Sequence, residues 1–292
     1  MTGDALVIEA HSNRGVAATD SGELTAFHFP RRLGRPLPGD RISLDQSGTL
    51  IAIRDRTNEF GRGDNRGRFK PLAANLDRAL IVIAAEPAPS PDLLHRYVAA
   101  ALIRGIQPVI VINKSDLPRP DRPPFNELAD FSALGIPVIP CRCRPSPDLG
   151  ALPALVAKGV SLLAGQSGVG KTSLLNALVP DLAQQTGELS RVTGKGTHTT
   201  TSATLHRLPS GAWLVDTPGV WEYGLWTMKS PELERGFPEF AALEAGCRFR
   251  DCKHLTEPAC AIRAASESGQ IPTARYQAWV RLLREQERLV AH

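Results

Sequence analysis

The sequence predicts an α/β protein with an all-β segment before it and a small helical, cysteine-bearing segment after it. Three observations carry that reading. Five short apolar runs separated by turn residues occupy the first fifty or so positions. From Leu80 onward, apolar strands alternate with amphipathic helices. The last fifty residues group three of the five cysteines with a histidine. At 292 residues the chain exceeds one average domain, since about 150 residues per domain is the usual prior. With 42% hydrophobic and 22% charged residues it has enough apolar side chain for a core. That balance excludes a disordered chain. The longest unbroken apolar run, Ala79 to Ala85, is far short of the ~18 residues of a membrane span. The start, Met1-Thr2-Gly3-Asp4, lacks the basic lead and apolar stretch of a secretory signal. A cytoplasmic protein without membrane association is expected.

The apolar runs of the first segment are Leu6-Val7-Ile8, Val16-Ala17-Ala18, Leu24 to Phe29, Ile42 to Leu44 and Leu50 to Ile53. Between them lie Asp20-Ser21-Gly22, Pro38-Gly39-Asp40 and Gln46-Ser47-Gly48. Strands at this spacing indicate a small barrel or sandwich, and five in about fifty residues is the size of an OB-fold. Asn58 to Lys70, rich in Gly, Asn and Arg, reads as an exposed linker. The expected divisions are therefore 1–70, 71–225 and 226–292.

In the middle segment, Leu80 to Ala84 has the unbroken apolar character of a strand buried on both faces. Ser90 and Pro91 suit the N-cap and first position of a helix. Its stripe is Leu93, Leu94, Tyr97, Val98, Ala101 and Leu102, and Gly105 ends it. Then come strand Val109 to Ile112, a helix near Asn126 to Leu134, strand Pro137 to Ile139, a helix from Pro147 to Lys158 and strand Val160 to Ala164. A helix from Lys171 and strands Ser202 to Leu208 and Ala212 to Val215 complete it. Such alternation gives a parallel sheet. A final helix carries Tyr276, Trp279, Val280, Leu283 and Val290 on one face.

Gly165-Gln166-Ser167-Gly168-Val169-Gly170-Lys171-Thr172, with Ser173 next, fits the phosphate-loop pattern GxxxxGK[ST] between a strand and a helix. Its glycines let backbone N–H groups curl around an anion at a helix N-terminus. Lys171 can reach the β- and γ-phosphates, and the Thr172 hydroxyl can ligate Mg²⁺. Asn113-Lys114-Ser115-Asp116 follows a strand, where α/β sheets bind ligands. A carboxylate at Asp116 can accept from guanine N1 and N2, a donor pair that adenine lacks. A polar turn capping a helix is the plainer reading of that tetrapeptide. Asp216-Thr217-Pro218-Gly219 also follows a strand. Asp216 can hold Mg²⁺ through water, and the Gly219 N–H can meet the γ-phosphate, although the sequence also suits an ordinary turn.

A polar loop is expected from about Pro180 to Gly196-Thr197-His198-Thr199-Thr200-Thr201. Thr200, with Thr199 competing, could ligate Mg²⁺ only when a γ-phosphate is present, as switch loops do. Together these are the parts of a guanine-nucleotide switch, in permuted order: the base motif at 113 precedes the phosphate loop at 165, which precedes 216. The chain after Gly219 leads into Cys247, Cys252, His254 and Cys260. Three thiolates and an imidazole suit a closed structural Zn²⁺ site. Three buried cysteines and an unrelated histidine are the alternative. Cys141 and Cys143 read as ordinary thiols.

The net charge is only +4, but Arg31, Arg32 and Arg35 cluster, as do Arg54, Arg56, Arg62, Arg66, Arg68 and Lys70. Such clusters suit phosphate backbones and equally suit a solvated face.

With these motifs in this order the chain resembles the ribosome small-subunit-dependent GTPase A (RsgA) family over nearly its whole length. Gly39-Asp40, Ala74-Asn75-Leu76-Asp77, the Gly-x-His-Thr-Thr segment at 196–200 and the Cys/His pattern carry the resemblance too. It implies an OB-fold, a circularly permuted GTPase domain and a zinc-binding domain. It implies hydrolysis of GTP to GDP and phosphate, stimulated by the small (30S) ribosomal subunit, and a role in late maturation of that subunit and its rRNA. It points to His198 as the residue that positions water; a solvent-facing loop histidine is the alternative. DNA is not an expected partner, and nothing suggests a stable oligomer. Two positions depart from the usual pattern: Pro140-Cys141-Arg142-Cys143 stands where GTPases carry Ser-Ala, and Thr197 where the family commonly has Arg. Val220 cannot orient water, so unassisted turnover should be near the 10⁻⁴ to 10⁻² s⁻¹ of isolated GTPases, roughly. Gly168 stands where potassium-activated relatives carry Asn, so no strong potassium dependence is expected. Competing functions are a phosphate-loop ATPase or kinase, and an RNA-binding protein whose nucleotide site is mainly structural.

Overall fold

The computed structural model describes residues 3–64, 66–193, 203–217 and 224–290. Gly3–His11 (β1), Arg14–Thr19 (β2), Leu24–His28 (β3), Arg41–Leu44 (β4) and Leu50–Ile53 (β5) are the five expected strands. They form one antiparallel sheet in the order β3-β2-β1-β4-β5. A bridge between His28 and Thr49 brings its two edges together. Alternation along β1 divides its side chains between two cores. Ala5 and Val7 pack with Phe27, Ile42 and Leu50 inside the barrel. Leu6 and Ile8 face outward and join Leu205 and the α/β core.

Residues 58–70 are not a linker. Glu59–Gly63 (β6) and Phe69–Ala74 (β7) pair as an antiparallel hairpin. Asp64 stabilises its turn by accepting from the backbone N–H groups of Arg66 and Arg68. Phe60 is buried, and Phe69 sits edge-on to Trp226 beneath the Arg104 guanidinium. Those two aromatics supply the apolar anchors that the Gly- and Arg-rich composition obscured.

The main sheet follows. Its elements are Arg78–Ile83 (β8), Leu93–Ile103 (α1), Gln107–Ile112 (β9), Leu128–Ala133 (α2), Val138–Pro140 (β10), Leu152–Leu155 (α3) and Val160–Ala164 (β11). Lys171–Leu178 (α4), Leu182–Thr193 (α5), Thr204–Arg207 (β12) and Trp213–Asp216 (β13) complete it. The strand order is β10-β9-β8-β11-β13-β12, all parallel except the edge strand β12. Ala79, Ile81 and Ile83 face α1 and α2; Leu80, Val82 and Ala84 face α3 and α4. Helices on both faces bury the central strands completely, which explains their unbroken apolar sequence.

Three expectations need correction. The first helix begins at Leu93, not Pro91; 91–92 form a turn, and the Ser90 side chain makes no cap bond. The helix expected over 147–158 shrinks to Leu152–Leu155, because Asp148 and Arg142 exchange backbone bonds and draw the chain back. The polar loop expected from Pro180 is helix α5 over 182–193. Gln185 stitches it to both backbone groups of Arg207, and it packs against β2 and β3.

The last segment contains Ser230–Glu234 (α6), Ala261–Glu267 (α7) and Thr273–Val290 (α8). Trp279, Leu282 and Leu283 are buried on α8, while Tyr276 and Val280 are half-buried. Arg275, with no exposed surface, donates to Glu239, to the Gly236 carbonyl and to His95 Nδ1 on α1. His95 Nε2 lies 2.9 Å from Glu127. A buried polar chain thus joins α8 to α1 and to the turn that precedes α2. Among the described residues no helix is long and apolar enough to cross a membrane.

Candidate functional site

β8, β9, β11 and β13 are parallel, and in the order β9-β8-β11-β13 they are successive neighbours in the sheet. The loops following them therefore emerge at one edge. The loop after β11 is 165–170. Gly170 caps α4 in the left-handed region at φ 93°, where an added Cβ would collide with Asn113 Nδ2. Only glycine meets both demands without strain. Val169 is buried against α4, Ser167 and Ser173 are half-buried, and Gly168 and Thr172 are exposed. Lys171 Nζ folds over the loop and donates to Gly165 O at 2.7 Å and Gln166 O at 2.8 Å.

The loop after β9 locks onto the first. Asn113 is buried; its Nδ2 donates to Val169 O at 2.8 Å. Lys114, at φ 55°, extends Nζ to Gly168 O (3.0 Å) and Glu86 O (2.7 Å). Gln166 Nε2 in turn donates to the Pro87 and Ala88 carbonyls. Asn113 and Lys114 therefore brace the glycine loop, and Asp116 is left exposed beside it. A base held by Asp116 and a phosphate held at 165–172 would share one continuous wall.

Asp216 ends β13. Burial raises its pKa, opposed by the Lys171 charge. Burial lowers that of Lys171, opposed by Asp216. The two opposite charges attract each other in a partly desolvated setting, where such an interaction is stronger than in water. Thr217 Oγ1 donates to Leu163 O at 2.8 Å and ties the start of its loop to β11. His198, Thr199, Thr200 and Gly219 lie outside the described residues, as do Thr197 and Val220.

Seven contributors were missed by sequence reasoning. Glu86, Pro87 and Ala88 supply only carbonyls, which no side-chain pattern announces. Thr217 lies within the Asp216-Thr217-Pro218-Gly219 motif, which gave that residue no role of its own. The thiols of Cys141 and Cys143 both donate toward Asn113 Oδ1, at 3.7 and 3.4 Å, so they are not bystanders. Glu234 belongs with the cysteine cluster.

In that cluster, the donor atoms of Cys247, Cys252, His254 and Cys260 all lie within 4.8 Å of one another. Cys247 Sγ and Cys260 Sγ are 3.6 and 3.4 Å from His254 Nδ1. A tetrahedral zinc with ordinary Zn–S and Zn–N bonds places S and N about 3.5 Å apart, so the set fits that ion. His254 Nε2 is 3.1 Å from Glu234 Oε1, the carboxylate partner that orients a ligating imidazole. Trp279 on α8 donates to Lys253 O, and Tyr276 to His254 O. The cluster is thereby fastened to the final helix.

Comparison with known proteins agrees with this architecture. The family model described as RsgA GTPase matches residues 53–226. The small ribosomal subunit biogenesis GTPase RsgA of Chromohalobacter salexigens is 44% identical over 282 residues, 93% of this chain and 83% of that protein. Its counterpart in Hahella chejuensis is 42% identical over 98% of this chain and 83% of its own length. YjeQ from Thermotoga maritima superposes with a TM-score of 0.77 at 27% identity, covering 98% of this chain and 99% of that one. YloQ, a circularly permuted GTPase, gives 0.74 at 28% identity over 98% and 96%. The permuted motif order, the Cys₃His cluster and these matches together place the chain in the RsgA GTPase family.

Proposed function

We infer that the chain hydrolyses GTP to GDP and phosphate in the cytoplasm and acts in biogenesis of the small (30S) ribosomal subunit, as its curated relatives are named to do. The observation that carries the reading is the bracing of 165–170 by Asn113 and Lys114, which makes the base loop and the phosphate loop one rigid unit. In this reading the backbone N–H groups of Gly165, Gln166, Ser167, Gly168, Val169 and Gly170, with those of Lys171, Thr172 and Ser173, cradle the β-phosphate. Lys171 exchanges its two carbonyl partners for phosphate oxygens. Asp116 accepts from guanine N1 and N2, and the same carboxylate facing adenine would be desolvated without a partner.

Thr172 and, through water, Asp216 would hold Mg²⁺, which neutralises charge between the β- and γ-phosphates when bound. Thr200 or Thr199 and the Gly219 N–H would close on the γ-phosphate. His198 would position the attacking water, a task the apolar Val220 cannot perform. Cys247, Cys252, His254 and Cys260 would hold one structural Zn²⁺, which contributes folding energy and no chemistry of hydrolysis. The barrel and its arginines offer a surface for rRNA, and the chain works as a monomer.

The test is GTP turnover with and without purified small subunits. The subunit should raise the rate at least tenfold in wild type, and His198→Ala should abolish most of that rise while GDP binding persists. No stimulation at low salt would refute the ribosomal assignment.

A further inference from the structure

Two thiols meet beside the base loop. Cys141 and Cys143 follow β10 and flank Arg142, whose backbone is held extended by a pair of 2.7 Å bonds to Asp148. Side chains two apart on an extended chain share a face. Here both sulfurs converge on Asn113 Oδ1 and lie within reach of each other, so either proton can pass from the amide oxygen to the neighbouring sulfur. Cys141 is buried, and Cys143 is half-buried and reachable from solvent. The bond from Cys141 and the Arg144 charge hold the Cys143 thiol below its ordinary range, despite burial. The bond with Cys143, together with burial, pushes Cys141 up. One sulfur is thus the better nucleophile and the other its waiting partner.

We propose that Cys141 and Cys143 form a reversible disulfide when the protein meets a hydroperoxide, and that closing this bond weakens guanine-nucleotide binding through Asn113. The second half rests on the nucleotide reading above. The Cys143 thiolate attacks the peroxide O–O bond, giving a sulfenic acid and hydroxide. Cys141 sulfur then attacks the sulfenic sulfur, the S–O bond breaks, and the S–S bond forms. The two thiol protons end on the two oxygens, so two thiols and one hydrogen peroxide become a disulfide and two waters.

The consequence follows from what the sulfurs hold. Oxidation removes both S–H donors from Asn113 Oδ1. The Nδ2 of that same side chain holds Val169 O in the glycine loop. Cys141 O accepts from the Ser115 N–H, and the Cys141 N–H donates to Ile112 O, so a shift at 141 also pulls on the base loop. An extended two-residue step spans about 6.6–7.2 Å. A disulfide tolerates Cα separations of only about 4.4–6.8 Å. Closure therefore shortens this segment. A bond closed under strain is also readily reduced, which makes the change reversible.

Trypsin cleaves after Arg142, between the two cysteines, which gives a direct readout. Protein treated with stoichiometric hydrogen peroxide, alkylated and digested should yield the Cys141 and Cys143 peptides joined, separating on reduction. The Kd for a fluorescent GDP should rise about tenfold and recover with dithiothreitol. In Cys143→Ser, whatever its starting affinity, peroxide should no longer change the Kd. Absence of the joined peptides, or joined peptides with an unchanged Kd, overturns the proposal. So does a loss of affinity that follows zinc release, measured with a chromogenic chelator, in place of peptide linkage. Failure of the reduced protein to bind GDP would refute the nucleotide reading itself, with the joined peptides still testing the thiol pair.

Discussion

Replacing Asn113 with alanine should loosen the glycine loop without touching any residue assigned to the phosphates. In the wild type the buried Asn113 amide donates to Val169 O at 2.8 Å and accepts from two thiols. Truncation strands a buried carbonyl in a site too closely packed for easy repair. A buried acceptor left without a partner costs about 1–3 kcal/mol. Unfolding free energy, measured by urea titration followed by circular dichroism, should therefore fall by about 2 kcal/mol. If binding must re-order the loop, about 1–2 kcal/mol is lost there too, a five- to thirty-fold rise in the Kd for GDP. Asn113→Asp should be worse than alanine, because it sets an acceptor against the Val169 carbonyl. Stability within about 0.5 kcal/mol of wild type and a Kd unchanged within twofold would refute the bracing argument.

Other outcomes follow from groups away from the nucleotide edge. Arg275→Ala should destabilise the chain by about 3–5 kcal/mol in the same urea assay, because Glu239 is left buried without its counter-charge. His206, on β12, is held neutral by burial, its pKa lowered to about 4. The unfolded chain binds that proton near 6.5, so the contribution is complete above about pH 6.5 and is lost as pH falls toward 4. Thermal melts should show His206→Gln flattening the acid limb of the stability curve by up to about 3 kcal/mol relative to wild type. Zinc chelation should expose Trp279, seen as a red shift in tryptophan emission, and should speed amide exchange in α8, since Trp279 donates to the loop between two ligands.

Much of the fold was legible because its signals were local. Five apolar runs separated by turn residues gave β1 to β5, and the phosphate loop sat between β11 and α4 as its pattern requires. Features that failed to announce themselves depend on partners far along the chain. The β6–β7 hairpin looked like a linker because its anchors, Phe60 and Phe69, are isolated among Gly and Arg, and Phe69 finds Trp226 only after folding. Helix α5 looked like a loop because much of its face is polar; Gln185 bonding the Arg207 backbone replaces part of the usual apolar stripe. The 147–158 helix was over-read, since periodicity could not reveal that Asp148 pairs with Arg142. At the site, the residue types of the base and phosphate motifs were readable, but their mutual bracing was not. Asn113 serves the loop carbonyl at 169, and that link spans 56 positions.

Guanine selectivity turns on Asp116 facing the base. Titration of Asp116→Asn with xanthosine and guanosine diphosphates tests it most directly, because an amide at 116 offers a donor where guanine also presents one. GDP affinity should fall by about a hundredfold or more, while xanthosine diphosphate should bind better than it does to wild type. Unchanged preference for GDP in the variant, or equal binding of ATP and GTP by wild type, would contradict it.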